Sequence, residues 1–157
     1  MDRSIIDRYE AQGHELKHWV HGLTEQELDA FPVPGTWSVR QLVVHMIDSD
    51  QIATHRMRRM AAEEKPLLVS YDETAFSKVP AVNAGSVQDV AELFGLNRRW
   101  TADFLRALPD AAFERQGVHT QRGLVTIGQM VEVYVKHVEH HRTFLAAKRE
   151  KLGKPLR

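Results

Sequence analysis

Two histidines near the carboxyl end of the chain, His137 and His141, have the residue type and the spacing of metal ligands. Residues four apart on an α-helix lie one above the other on the same face, so a single helix can present both imidazoles to one ion. On a helical wheel both fall on, or at the margin of, the apolar stripe that contains Ile127, Val131 and Tyr134. Histidines on a core-facing stripe need a partner, and zinc and nickel are metals that imidazole suits.

The helix that carries this pair is predicted to run from Thr126 to about Lys148. Thr126 and Gln129 form a capping box, in which each side chain satisfies a backbone donor at a helix start. His140 falls outside the apolar stripe and is predicted to lie at the surface.

A third ligand must come from another helix whose apolar stripe faces the same core. A second capping box, Ser38 with Gln41, predicts a helix from Val39 to about Glu63. His45 lies at the shoulder of the stripe of this helix, where periodicity alone leaves it between boundary and interior. Because His55 points to the opposite side, His45 is the best remaining candidate.

Other chemistry-bearing side chains on the first two helices have different predicted environments. Asp50 falls inside the stripe of the second helix, where a carboxylate must be paired, close to a metal or exposed at a cleft. The first helix, predicted from about Asp2 to Gly22, carries three more histidines. Since these lie opposite its apolar face, they are predicted to face solvent; they are His14, His18 and His21.

The remaining pattern predicts an all-α protein. A third helix is predicted from about Ser86 to about Leu108, and the connection 64–85 is long enough to be a functional loop or to contain a short helix. The apolar runs 67–69 and 124–125 are too short to predict a sheet. Four amphipathic helices predict a single four-helix bundle domain over residues 1–157.

Composition excludes several function classes. Acidic and basic residues number 21 each, which predicts neither nucleic acid nor an anionic membrane as a partner. The absence of cysteine excludes disulfides, thiolate metal sites and a cysteine nucleophile. The first ten residues lack the pattern of a signal peptide, and no apolar run reaches the length of a membrane span, so a cytoplasmic protein is expected.

Three segments together resemble the DinB superfamily, and specifically its YfiT-like branch of metal-dependent hydrolases. They read TWSVRQLVVHMIDSD, YDETAF and TIGQMVEVYVKHVEHHRTFL, in that order. The resemblance implies a four-helix bundle with a long crossover connection, and often a homodimer. It also implies a divalent metal, most often zinc or nickel, bound by His45, His137 and His141.

The resemblance implies two activities, and the sequence does not choose between them. One is a hydrolase acting on small molecules. The other is a thiol S-transferase that uses a low-molecular-weight thiol such as bacillithiol, mycothiol or glutathione. Two further hypotheses stay open: a stress-related bundle that binds a metal or a small molecule without turnover, and a purely structural bundle whose histidines are hydrogen-bonded.

The sequence leaves the roles of three other groups open. Asp50 stands where relatives often have histidine or glutamate, and it is a candidate for orienting a ligand or contacting substrate. The loop Tyr71-Asp72-Glu73 matches a recurring motif that can serve the fold or the pocket. Arg56, Arg58 and Arg59 are expected to form a solvated charged face, with binding of an acidic thiol cofactor as the alternative.

Overall fold

The prediction of an all-α four-helix bundle is confirmed by the computed structural model, which describes residues 2–156. Within these residues no helix combines the length and the apolar character needed to cross a membrane. The helices are α1 (Ser4–Ala11), α2 (Glu15–Val20), α3 (Glu25–Asp29), α4 (Val39–Ala62), α5 (Glu73–Ser77), α6 (Val87–Ala107) and α7 (Ile127–Lys151), and the strands are β1 (Leu67–Leu68), β2 (Gln116–His119) and β3 (Gly123–Thr126).

Four helical segments build the bundle, and α1 and α2 together make the first of them. α4 packs against α6 and α7, and α1 packs against the same two helices. The two histidine-bearing helices, α4 and α7, are therefore neighbours. This contact is what brings side chains that are far apart in sequence to one site.

Both predicted capping boxes are present, and they fix where the two histidine-bearing helices begin. The hydroxyl of Ser38 accepts from the backbone N–H of Gln41, whose side chain in turn accepts from the Ser38 N–H. Thr126 and Gln129 make the same reciprocal pair. A starting point set by a local hydrogen-bond pair also fixes the rotational phase of every later residue on the helix.

The prediction of one uninterrupted first helix is wrong. A short 3₁₀ turn over Gln12–His14 separates α1 from α2. At this turn the backbone approaches α6 so closely that a Cβ atom added to Gly13 would lie 3.3 Å from the Cα atom of Gly95. The three histidines predicted to face solvent do so; they are His14, His18 and His21.

The expectation that the short apolar runs carry no sheet is also wrong. The three strands pair in the order β1-β2-β3. β1 runs parallel to β2, and β2 runs antiparallel to β3. Leu68 packs directly over Gly117, where an added Cβ atom would lie 2.7 Å from the Leu68 side chain. Local alternation of apolar residues could not reveal this sheet, because β2 and β3 are short strands of one hairpin and β1 pairs with them from a distant segment.

Candidate metal centre

Three imidazoles converge between α4 and α7. His45 comes from α4, and His137 and His141 come from α7. The Nε2 atoms of His45 and His137 are 3.3 Å apart. A candidate ligand nitrogen from each of the three rings lies within 4.8 Å of the other two. The structure therefore places the three sequence-predicted ligands together.

The donor set fits a divalent metal of the zinc or nickel type. Two nitrogens bound tetrahedrally to one zinc, each about 2.1 Å from it, are roughly 3.4 Å apart, close to the separation of the His45 and His137 nitrogens. The three candidate nitrogens lie within 4.8 Å of one another, a spread that small side-chain rotations can close around one ion. The buried Nδ1 atom of His141 has no hydrogen-bond partner among the described residues. A buried polar atom without a protein partner is consistent with a bound ion at this site.

Burial keeps all three imidazoles neutral. Loss of solvent lowers the pKa of His45 and of His141 from 6.5 to about 4. Burial also lowers the pKa of His137 to about 2, with smaller contributions from the neighbouring His141 and His45. Neutral imidazole is the form that binds a metal, so the site is ready to bind one at neutral pH.

The metal-free protein is expected to lose stability as the pH falls from about 6.5 to about 4. In this window the histidines of the unfolded chain take up protons, whereas those of the folded chain, with lowered pKa values, do not. The stability that these histidines contribute is therefore complete above pH 6.5 and is lost progressively as the pH falls to about 4. Thermal unfolding at a series of pH values measures the effect. A variant with glutamine at positions 45, 137 and 141 should show a shallower fall, and an unchanged slope would contradict the assignment.

The long connection reaches the site through Glu73. Asp72 caps α5 by accepting from the backbone N–H of Ala75, and this cap sets the direction in which the helix begins. The Oε2 atom of Glu73 then lies 3.9 Å from the Nε2 atom of His45. Tyr71, Asp72 and Glu73 all line the same cavity, so this loop borders the pocket as well as supporting the fold.

Two clefts meet at the histidines. The larger has a volume of about 760 Å³ and extends from His137 towards β2 and β3. The smaller has a volume of about 550 Å³, is bordered by Trp37 and extends along α7. Both clefts are lined by Glu73, Thr74 and His137. His137 is therefore accessible from both clefts, and His141 from the smaller one.

The suggestion that Asp50 orients a metal ligand is replaced by a structural role. Its carboxylate is 1% exposed and pairs with Arg98 at 3.0 Å. It also accepts from Asn97 at 2.7 Å and from Tyr9 at 3.3 Å. None of its hydrogen-bond partners is one of the three histidines, because this part of the α4 stripe faces α1 and α6.

The expectation that Arg56 belongs to a solvated face is wrong, and its neighbours Arg58 and Arg59 are half-buried. Arg56 is 7% exposed and lines the larger cleft. Arg58 stacks on the half-exposed ring of Trp100, and Arg59 pairs with Glu63. The spacing indicates that Arg56 lies on the same side of α4 as His45, since residues 45, 49 and 56 share one face of a helix.

This chain is similar in sequence to known proteins of one superfamily. The sequence model of the DinB superfamily matches residues 8–145. YfiT of Bacillus subtilis is 33% identical over 144 residues, which are 88% of this chain and 79% of YfiT. A protein of Oceanobacillus iheyensis is 31% identical over 126 residues, which are 80% of this chain and 73% of the relative. The names of both relatives describe them as metal-dependent hydrolases.

Solved structures give the same result. The structure of YfiT, described as a probable metal-dependent hydrolase with an unusual four-helix bundle topology, matches with a TM-score of 0.89 and 27% identity. The match covers 96% of this chain and 86% of YfiT. A DinB-like protein of Bacillus subtilis, 14% identical, matches with a TM-score of 0.64 over 96% of this chain and 92% of its own, and this likeness shows the fold alone.

Proposed function

Since this chain belongs to the DinB superfamily, we propose that it is a metal-dependent hydrolase of small molecules whose ligands are His45, His137 and His141. The observation that carries the proposal is the convergence of three neutral imidazoles at the meeting point of two clefts. Three protein ligands leave a coordination position free, as in catalytic rather than structural zinc sites. A site sealed by a fourth protein ligand would instead have favoured a structural metal.

The residues around the histidines have separate tasks in this proposal. A divalent cation, when bound, lowers the pKa of a coordinated water and polarises a carbonyl. The Oε2 atom of Glu73 accepts a proton from the attacking water, because it lies beside His45 and is open to both clefts. The side chain is 58% exposed, so the proton can pass on to solvent.

Replacing Glu73 with glutamine is expected to lower kcat by about 10²- to 10⁴-fold, the usual contribution of a general base. Metal content should stay unchanged, since the three imidazoles remain. The measurement is turnover of a panel of small esters, amides and lactones by metal-loaded protein, with metal-free protein as the blank. Glu132→Gln, an exposed position on α7, is the control and should retain full activity. Equal activity of Glu73→Gln and the native protein would remove Glu73 from the mechanism.

The second candidate function is a thiol S-transferase, and the pair of clefts favours it. Two separate approaches to one site suit a reaction between two substrates, a thiol and an electrophile. The test uses a low-molecular-weight thiol with 1-chloro-2,4-dinitrobenzene, in which the thiolate sulfur displaces chloride and one proton is released. A conjugate formed only by metal-loaded protein would favour the transferase. Absence of conjugate with bacillithiol, mycothiol and glutathione, together with hydrolysis of the ester panel, would favour the hydrolase.

Hydrolysis and thiol transfer can both fail while metal binding persists. That combination would favour the stress-related binding module without turnover. The homodimer stays a prediction from the resemblance, and light scattering after size-exclusion chromatography measures it. The cytoplasmic location stays a prediction from the sequence.

A further inference from the structure

The larger cleft ends in a positively charged wall that the proposed chemistry does not use. Arg56 from α4, His119 from β2 and Arg122 from the turn after it line this wall. At the other end of the cleft lie His137 and Glu73. The cavity therefore has two chemically different ends, one suited to a reaction and one to an anion.

Arg56 is buried without a compensating carboxylate. One of its N–H groups donates to the backbone oxygen of Val69 at 2.6 Å and another to the hydroxyl of Tyr134 at 3.5 Å. Within residues 2–156 Arg56 has no salt bridge to a carboxylate, and these two bonds leave three of its five N–H groups without a protein acceptor. A guanidinium that is only 7% exposed normally has an anionic partner, because a buried unpaired charge is costly.

His119 adds a neutral donor to the same wall. Its Nδ1 atom accepts from the backbone N–H of Gln121 at 3.2 Å, so the proton of the neutral ring lies on Nε2. Burial, and then the positive charges of Arg56 and Arg122, lower the pKa of His119 and keep the ring neutral. The wall therefore offers one buried positive charge together with one neutral hydrogen-bond donor.

The rest of the cleft combines polar side chains with a small apolar patch. Val125, Met130 and Val133 form this patch, which can contact a carbon skeleton. A volume of about 760 Å³ is within the range of sites for small organic ligands. The cleft thus suits a molecule with an apolar body and one anionic group.

We propose that the cleft binds substrates that carry a carboxylate, with Arg56 as the residue that binds this group and so determines specificity. This inference rests on the proposed function, since it assigns the far end of the substrate whose reacting group lies at the histidines. A carboxylate is favoured over a phosphate because the wall has a single buried charge, which balances the one negative charge of a carboxylate. Arg122, at the exposed mouth, steers the anion inwards.

The test compares 3-phenylpropanoate with 3-phenylpropanamide, which has the same shape and no charge. Binding to metal-free protein is measured by titration calorimetry, so neither turnover nor a metal contributes. The native protein is expected to bind the acid at least about tenfold more tightly than the amide, the usual value of a hydrogen bond to a charged group. Arg56→Gln should reduce this preference to less than about twofold, and Arg56→Lys should restore part of it.

Arg59→Gln is the matched control. Arg59 lies on the same helix and also donates to a backbone oxygen of the following segment, that of Leu67, but it does not line the cleft. The preference for the acid should persist in this variant, and circular dichroism checks that each variant is folded.

Equal binding of acid and amide to the native protein would overturn the proposal, as would a preference that survives in a folded Arg56→Gln protein. Phenyl phosphate bound more than about tenfold more tightly than the acid would overturn the assignment to a carboxylate. Because the assay uses metal-free protein, its outcome is distinguishable from a failure of the hydrolase proposal. A preference for the acid in a protein that never hydrolyses an ester would leave the anion site intact.

Discussion

Protein purified without a metal-affinity tag is expected to contain close to one zinc or nickel ion per chain, and the double variant His137→Ala, His141→Ala is expected to contain almost none. Two of the three imidazoles that converge on the site come from α7, and only His45 remains without them. A single imidazole does not hold a divalent ion against dilution, whereas three at fixed positions do. Elemental analysis of both proteins measures the effect.

A matched pair of single variants separates the site from a general effect of losing histidine. His45 and His55 lie on the same helix, but His45 is buried at the site and His55 is exposed. His45→Ala is expected to reduce metal content to well below half, and His55→Ala to leave it unchanged. Full metal content in the double variant at positions 137 and 141 would contradict the assigned ligands. An absence of metal in the native protein, even after zinc or nickel is added, would remove the enzymatic proposal as well.

Asp50→Asn is expected to destabilise the protein by about 3–5 kcal/mol, the usual cost of removing one partner of a buried ion pair. Arg98 is fully buried and would keep its charge without a counter-ion. It also donates to the backbone oxygens of Tyr9 and Tyr134 and to the side chain of Gln12, so one guanidinium connects α1, α4, α6 and α7. Chemical denaturation of the metal-free protein measures the change in the free energy of unfolding.

Asp7→Asn is the control, because Asp7 also pairs with an arginine of α6, Arg106, but at the surface. Exposed pairs contribute little, so a change of less than about 1 kcal/mol is expected. If Asp50→Asn cost no more than this control, the buried pair would not be the centre of the bundle. Burial raises the pKa of Asp50 and the charge of Arg98 opposes this effect, so replacing the arginine should favour a protonated Asp50.

Local features of the sequence were sufficient to predict the helices that carry the site. The two capping boxes, at Ser38 and at Thr126, need only residues within one turn, and for this reason both predicted starts are confirmed. The spacing of His137 and His141 likewise depends on one helix alone. The break after Ala11 was missed, although Gly13 in the turn is a local indication of one, because one glycine does not show that α6 approaches closely there through Gly95.

The sequence by itself determined a helical bundle, the phase of each long helix and a pair of histidines one turn apart on α7. Only the tertiary structure decided which side chains from other segments meet that pair. The packing of α4 against α7 places His45 beside His137, and the cap of α5 places Glu73 beside His45. The same packing pairs Asp50 with Arg98 and places Arg56 in the lining of the cleft. Periodicity describes the faces of one helix, whereas a site between helices depends on which faces meet.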